Sequence, residues 1–173
     1  MINKKQEDFL KLYEPIHDRF ERFCRARVYG EMDYCDLMNE TLLVAFQKFE
    51  SLRSNEAFLS FLFGICIRIL SNNNKKKKVE RIQNEQDING IKDDSIDPEN
   101  YTDIAFLYEM LAQLTEEQRE SILLFELAGF SIKEIAEMHQ VGESAVKQRL
   151  KRGREKLADL INYESVLKMG TRI

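Results

Sequence analysis

Between Ser144 and Leu157 stand six basic residues, Lys147, Arg149, Lys151, Arg152, Arg154 and Lys156, against one acid, Glu155, a local charge of +5. A run of this kind can neutralise nucleic-acid phosphates, and the Gln148 amide within it has the geometry to pair with an adenine edge. A second cluster, Arg68, Lys75, Lys76, Lys77, Lys78 and Arg81 against Glu80, also sums to +5. Just ahead of and within it, Asn72, Asn73 and Asn74 can donate and accept hydrogen bonds with bases, while Phe61 and Phe63 offer rings for stacking unpaired bases. A basic run by itself describes any solvated helix face, so its meaning depends on the element that carries it.

The first run lies on a strongly punctuated segment. Thr115 with Gln118 forms a capping box that opens a helix holding Ile122, Leu123, Phe125 and Leu127, and Ala128-Gly129-Phe130 ends that helix. Ser131 with Glu134 opens a second, short helix with Ile132, Ile135 and Ala136 inward; Gln140-Val141-Gly142 then makes a turn. A long helix follows from about Glu143 to Ile161, with Val146, Leu150 and Leu157 inward. Two short helices joined by a tight turn form a helix-turn-helix, whose second helix enters the major groove of duplex DNA. Ser144, Lys147, Gln148, Lys151 and Arg152 then fall where base-edge and nearby backbone contacts belong.

The amino-terminal half reads as helical as well. Phe9, Leu12, Ile16, Phe20, Phe23 and Ala26 recur at three and four residues, and Tyr34 through Phe49 repeat that period. A third helix, about Glu56 to Asn73, is apolar nearly all round and therefore buried on most sides, with Ser60, Gly64, Arg68 and Asn72 as one outward stripe. No segment alternates with a period of two, so the fold class is all-α. From Val79 to Glu109 nine acids face two bases, a net of −7, and Asp97-Pro98 breaks any helix. The expected organisation is a helical domain at 1–81, a flexible acidic linker at 82–103, a helix-turn-helix domain at 104–165 and a tail at 166–173.

The whole chain of 173 residues carries −4, which by itself suggests no anionic partner. Outside Val79–Glu109 the sum is +3, so the acidic segment hides two basic clusters. Cys24, Cys35 and Cys66 lack paired-ligand spacing and sit beside apolar helical positions, as buried reduced thiols would. Met1 to Leu10 has no apolar run after its basic residues, and no stretch approaches the roughly 20 apolar residues of a membrane-spanning helix. A cytoplasmic location and no membrane insertion are expected. No glycine-rich phosphate loop, metal-ligand pair or nucleophile elbow appears, and His17 and His139 are far apart. The chain is thus expected to be no enzyme and to need no cofactor or metal, with His139 structural.

At the level of motifs, the run LTEEQRESILLFELAGFSIKEIAEMHQVGESAVKQRLKRGREKL resembles region 4 of bacterial sigma factors. DLMNETLLVAFQKFE followed by FLSFLFGICIRIL resembles region 2 of the small two-domain group called extracytoplasmic-function (ECF) sigma factors. The resemblance implies promoter DNA and core RNA polymerase as partners, the latter through the clamp region of its largest subunit and the flap region of its second largest. It implies that Ser144, Lys147, Gln148, Lys151 and Arg152 read the −35 element as duplex. Phe61, Arg68, Asn72, Asn73 and Lys75 would capture the melted −10 element. Asp36, Asn39, Glu40, Leu43 and Gln47, the non-core face of the second helix, would grip polymerase, and an anti-sigma factor is an expected further partner.

The family commonly has Trp at the position of Phe61 and Asn at that of Arg68. Its usual turn Gly is Gln140 here, and Gly142 replaces a Ser-like cap. Gly153 replaces a typical Ala inside the recognition helix, where it is expected to cost about 1 kcal/mol. The competing reading is a dimeric helix-turn-helix regulator that binds an operator without engaging polymerase; an all-α scaffold with solvated basic surfaces is a third.

Overall fold

The amino-terminal apolar stripe does not form one continuous helix. In the computed structural model, α1 (Lys4–Tyr13) and α2 (His17–Val28) are separated by a 3-10 turn at Glu14–Ile16. Pro15 sits at the start of that turn, and its missing N–H and fixed φ interrupt the helical ladder. Phe9 from α1 and Phe20 and Phe23 from α2 still reach one core. The structure describes the backbone of residues 4–83 and 101–170 and the side chains of residues 4–73 and 104–163. Most of the expected linker, residues 84–100, lies outside the described residues, as do the side chains of Lys75–Lys78.

Gly30, with φ of 71°, turns the chain out of α2. Asp33 then caps α3 (Tyr34–Gln47), its carboxylate accepting from the Cys35 N–H at 2.8 Å. Helix α4 (Phe58–Gln83) is longer than expected and carries its outward stripe directly into the lysine run. The core of this half is aromatic. Phe9 meets Phe46, Phe49 and Phe58 edge-on with ring centres 5.3–5.5 Å apart. Phe63 meets Phe20 and Phe23 at 5.3 and 5.0 Å. Edge-to-face pairs add about 0.5–1.5 kcal/mol each beyond the area they bury.

The carboxy-terminal half comprises α5 (Tyr101–Ala112), α6 (Glu116–Ile122) continued by a π-helical turn at Leu123–Leu127, α7 (Ile132–His139) and α8 (Glu143–Gly170). Among the described residues there are only helices, turns and loops, so the fold is all-α. The two halves pack on each other: Phe63 of α4 meets Phe130 at 5.1 Å, and Tyr29 meets Tyr108 at 5.5 Å. One buried cluster therefore runs through both halves. Among the described residues, no helix is long and apolar enough to cross a membrane.

Two expectations need correction. Phe63 is fully buried, held between α2 and the Gly129–Phe130 corner, so it offers no ring to a nucleic acid. Cys24 and Cys66 are buried thiols, but Cys35 is exposed because it falls in the first turn of α3, just past the cap and away from the core.

Candidate nucleic-acid interface

Both capping boxes form. The Thr115 hydroxyl accepts from the Gln118 N–H at 3.3 Å while the Gln118 side-chain oxygen accepts from the Thr115 N–H at 3.4 Å. Ser131 and Glu134 repeat this at 3.3 and 2.8 Å. The Ser131 hydroxyl also donates to Glu134, and these bonds hold the Glu134 carboxyl below the usual carboxylate range. Between the boxes Gly129 takes φ of 72°. At the helix-helix turn, Gln140 adopts the left-handed conformation with φ of 55° and ψ of 43°, where glycine is the usual occupant. The Val141 N–H closes that turn onto the Ala136 carbonyl at 3.0 Å.

Ile135, Ala136, Val146 and Leu150 are buried where α7 crosses α8. Gly153 lies one turn further along, on the same inward face. A Cβ there would stand 2.7 Å from Ile122 Cδ1 and 3.3 Å from Gln118 Cβ, so the glycine lets α6 lie close against α8. What reads in sequence as a helix penalty is a packing requirement of the helix-turn-helix.

With that inward face settled, Ser144, Lys147, Gln148, Lys151 and Arg152 all point outward. Their spacing of three, four, seven and eight residues places them on one stripe opposite Val146, Leu150 and Gly153. Two of the six basic residues are committed elsewhere. Arg154 donates to Glu126 at 2.7 Å and stacks over Phe125 with its guanidinium 5.3 Å from the ring centre. Arg149 is half-buried and donates to His139 Nδ1 at 3.2 Å. Since a guanidinium only donates, the neutral imidazole carries its proton on Nε2, which faces Glu120 Oε2 at 3.5 Å.

On α4, Arg68 and Asn72 are exposed, Phe61 and Asn73 are half-buried, and Phe61 leans on Phe58 at 6.5 Å. On α3, Asp36, Asn39, Glu40, Leu43 and Gln47 are all exposed along one face, opposite buried Leu37, Met38, Thr41 and Ala45. Leu43 is 58% exposed among these polar neighbours. Among the described residues, His17, Asp18 and Glu21 form a group with metal-ligand chemistry. His17 Nδ1 shares a 2.9 Å hydrogen bond with the Tyr13 hydroxyl, and Glu21 accepts from Arg25 at 2.7 Å, which accounts for the cluster as helix-surface pairing.

Sequence reasoning missed a buried polar seam between the halves. Arg27 of α2 is fully buried and donates to Glu120 of α6 at 3.0 Å. Arg119 donates both to the Arg27 carbonyl, at 3.0 Å, and to Glu31, at 2.7 Å. Arg19 reaches the Ala128 carbonyl at 3.5 Å. Burial pushes the Glu120 carboxyl above the usual carboxylate range, against the pull of Arg27 and Arg119. Burial, aided by the Arg149 charge, pushes His139 down to about 4. The available signal was register: Arg27 falls four residues after Phe23 and seven after Phe20, on the stripe that turns inward.

Comparison with known proteins bears on both halves. Residues 107–157 match the family model for sigma-70, region 4. Over 155 residues the chain is 28% identical to the ECF RNA polymerase sigma factor SigM of Mycobacterium tuberculosis, covering 90% of this chain and 78% of that one. It is 27% identical over 154 residues to the RNA polymerase sigma factor SigV of Bacillus subtilis, covering 87% and 91%. Its fold is similar to that of the sigma factor RpoE from Bartonella quintana, solved with the anti-sigma factor NepR, with a TM-score of 0.81 at 21% identity over 90% of this chain and 98% of that one. CnrH, solved with the cytosolic domain of CnrY, has a TM-score of 0.65 at 22% identity over 90% and 88%.

Proposed function

We propose that the chain is an RNA polymerase sigma factor of the ECF group, which binds core polymerase and directs initiation at particular promoters. The observation that carries the reading is the stripe Ser144, Lys147, Gln148, Lys151 and Arg152, exposed on the second helix of a doubly capped helix-turn-helix. Inserted in the major groove of the −35 element, this stripe sets Ser144, Lys147 and Gln148 at base edges and Lys151 and Arg152 at bases or phosphates. Arg149 and Arg154 hold the scaffold.

The −10 element is captured as it melts, by Arg68, Asn72 and Asn73 on the outward stripe of α4, with Lys75 following. Phe61 stands beside the stripe, and its half-exposed ring supports stacking on one unpaired base. The α3 face from Asp36 to Gln47 grips the clamp of the largest polymerase subunit, with Leu43 the apolar anchor inside a polar rim. The carboxy-terminal half meets the flap of the second largest subunit. Chemistry of RNA synthesis stays with the polymerase, so this chain acts as a non-enzymatic specificity subunit in the cytoplasm. The similar fold of RpoE, solved with the anti-sigma factor NepR, supports an anti-sigma factor as a further partner.

In vitro transcription with core enzyme over a promoter library tests the reading. Transcripts from a subset of promoters, requiring both components, are expected. A stable homodimer on DNA with no promoter-dependent transcript would instead establish the operator-binding regulator. Asp36→Arg with Glu40→Arg is expected to abolish polymerase binding at unchanged helicity, and parental affinity would refute the assignment of that face.

A further inference from the structure

Gly64 and Gly153 both stand inside long helices, where glycine is a poor occupant, and neither has a positive φ that would call for it. Gly153 has an internal reason, since a Cβ there would meet Ile122 Cδ1 at 2.7 Å. A Cβ at Gly64 would find nothing within 4 Å, so alanine would fit there without moving a neighbour. No packing inside the described residues asks for this glycine.

Its place on α4 decides what the missing side chain does. Gly64 lies on the outward stripe, with Ser60 one turn before it, Arg68 one turn after it and Phe61 three residues back on the adjoining face. A helical side chain leans toward the N-terminus and covers the turn that precedes it, so any larger residue at 64 would lie over Ser60 and against the Phe61 ring. Glycine leaves that side of the ring and a patch of helix backbone bare. Phe61 is half-buried and leans on Phe58 at 6.5 Å, while Arg68 is exposed. Along the axis Phe61 and Arg68 are about 10 Å apart. Between them lies a shallow slot with an aromatic ring at one end, bare backbone as its floor and a guanidinium at the other end.

Backbone bared in this way suits the close approach of a ligand, and the two ends of the slot suit a flat one. A nucleobase has a face that stacks on a ring and edge acceptors that take hydrogen bonds from a guanidinium. We propose that Gly64 is a specificity-determining position, the floor of a slot that takes one unpaired base of the −10 element, stacked on Phe61 and read at its edge by Arg68. This inference rests on the reading of α4 as the −10 surface. Gly64 weakens the helix of the free chain and is favourable only in the complex, so its replacement moves stability and binding in opposite directions.

Gly64→Ala and Gly64→Gln in the full-length chain test the slot. Both should raise the melting temperature by about 2–4 °C, because a helix former replaces glycine at an open position. The binding probe is a duplex with a short unpaired bubble of randomised sequence, presented to the chain assembled with core polymerase, with core polymerase alone as the blank. Sequencing of the bound fraction should show base preferences at several bubble positions for the parent. Gly64→Gln should lose the preference at one of them and bind the parent's selected bubble about 10- to 100-fold more weakly, within the range of one base-aromatic stack. Phe61→Ala should lose the preference at the same position, and Gly64→Ala should fall between parent and Gly64→Gln.

Parental preferences and affinity in Gly64→Gln would overturn the slot. A lowered melting temperature would overturn it too, by giving the glycine a packing role inside the protein. Arg68→Ala with Asn72→Ala checks the reading beneath. If that variant selects and binds bubbles as the parent does, or the parent shows no preference beyond the blank, the −10 surface lies elsewhere and the slot falls with it. If that variant is weakened while Gly64→Gln is not, the surface stands and the slot alone is lost.

Discussion

On the outward face of α8, Lys147 and Lys151 are 63% and 77% exposed, and Glu143 and Glu155 stand 3.9 Å from them. At the seam, Arg27 is wholly buried with the Glu120 carboxylate at 3.0 Å. Both regions are made of the same opposite-charge pairs. Exposed pairs four residues apart contribute about 0.3–0.5 kcal/mol and exchange a carboxylate for a phosphate with little loss. A buried pair cannot be given up one partner at a time without stranding a charge in low dielectric. Burial thus decides which cations stay open to an anionic partner and which hold the two halves in register.

His139 gives the largest expected break in that comparison, because it joins the seam at Glu120 to the recognition helix at Arg149. Its folded pKa of about 4 lies below the ordinary 6.5, so as pH falls the unfolded chain takes up the proton first. The stability this group contributes is therefore complete above about pH 6.5 and falls by about 3 kcal/mol on reaching pH 4. Glu120, with its raised pKa, takes up a proton more readily in the folded chain and offsets part of that loss. Urea titrations of the parent and His139→Gln from pH 7 to pH 4 isolate the imidazole. The parent should lose more stability than the variant, and parallel curves would remove His139 from the coupling.

On the exposed side, Lys147→Ala with Arg152→Ala should lower affinity for −35 duplex by about 100-fold and reduce the salt slope by about two, at unchanged melting temperature. Fluorescence anisotropy across a salt series measures both. An unaltered slope would move the phosphate contacts off this face.

Gln140→Gly sharpens the picture on the scaffold alone. Relieving a left-handed non-glycine residue should stabilise the folded chain by about 1 kcal/mol and leave DNA affinity as it is. A destabilised variant would show that the Gln140 side chain makes up for its backbone conformation. Arg154→Ala should have the smallest effect: about 0.5 kcal/mol of stability from lost pairing with Glu126 and Phe125, and less than threefold in −35 affinity. A tenfold loss would instead place Arg154 on DNA.

Much of the candidate interface was legible in the sequence because it rests on local rules. Capping boxes act within four residues, and helical period fixes which residues share a face, so the outward stripe of α8 and the polar face of α3 follow without tertiary information. Phe63 escaped those rules. Its own helix is apolar nearly all round, so no period distinguished a ring turned toward Phe130 from one turned toward solvent. Gly153 escaped for a related reason, since helix propensity registers its cost but not how near Ile122 lies.

The sequence by itself determined the all-α class, the helix-turn-helix with its caps, and the two basic clusters hidden under a net charge of −4. Each depends on residues a few positions apart, where backbone geometry leaves little freedom. Only the tertiary structure decided that Arg27 meets Glu120, ninety-three residues away, and that Arg149 and Arg154 serve the scaffold while Lys147, Lys151 and Arg152 stay outward. A charged side chain looks alike in sequence whether water or protein surrounds it. The energy that separates the two cases is desolvation, and it is set by elements brought together from opposite ends of the chain.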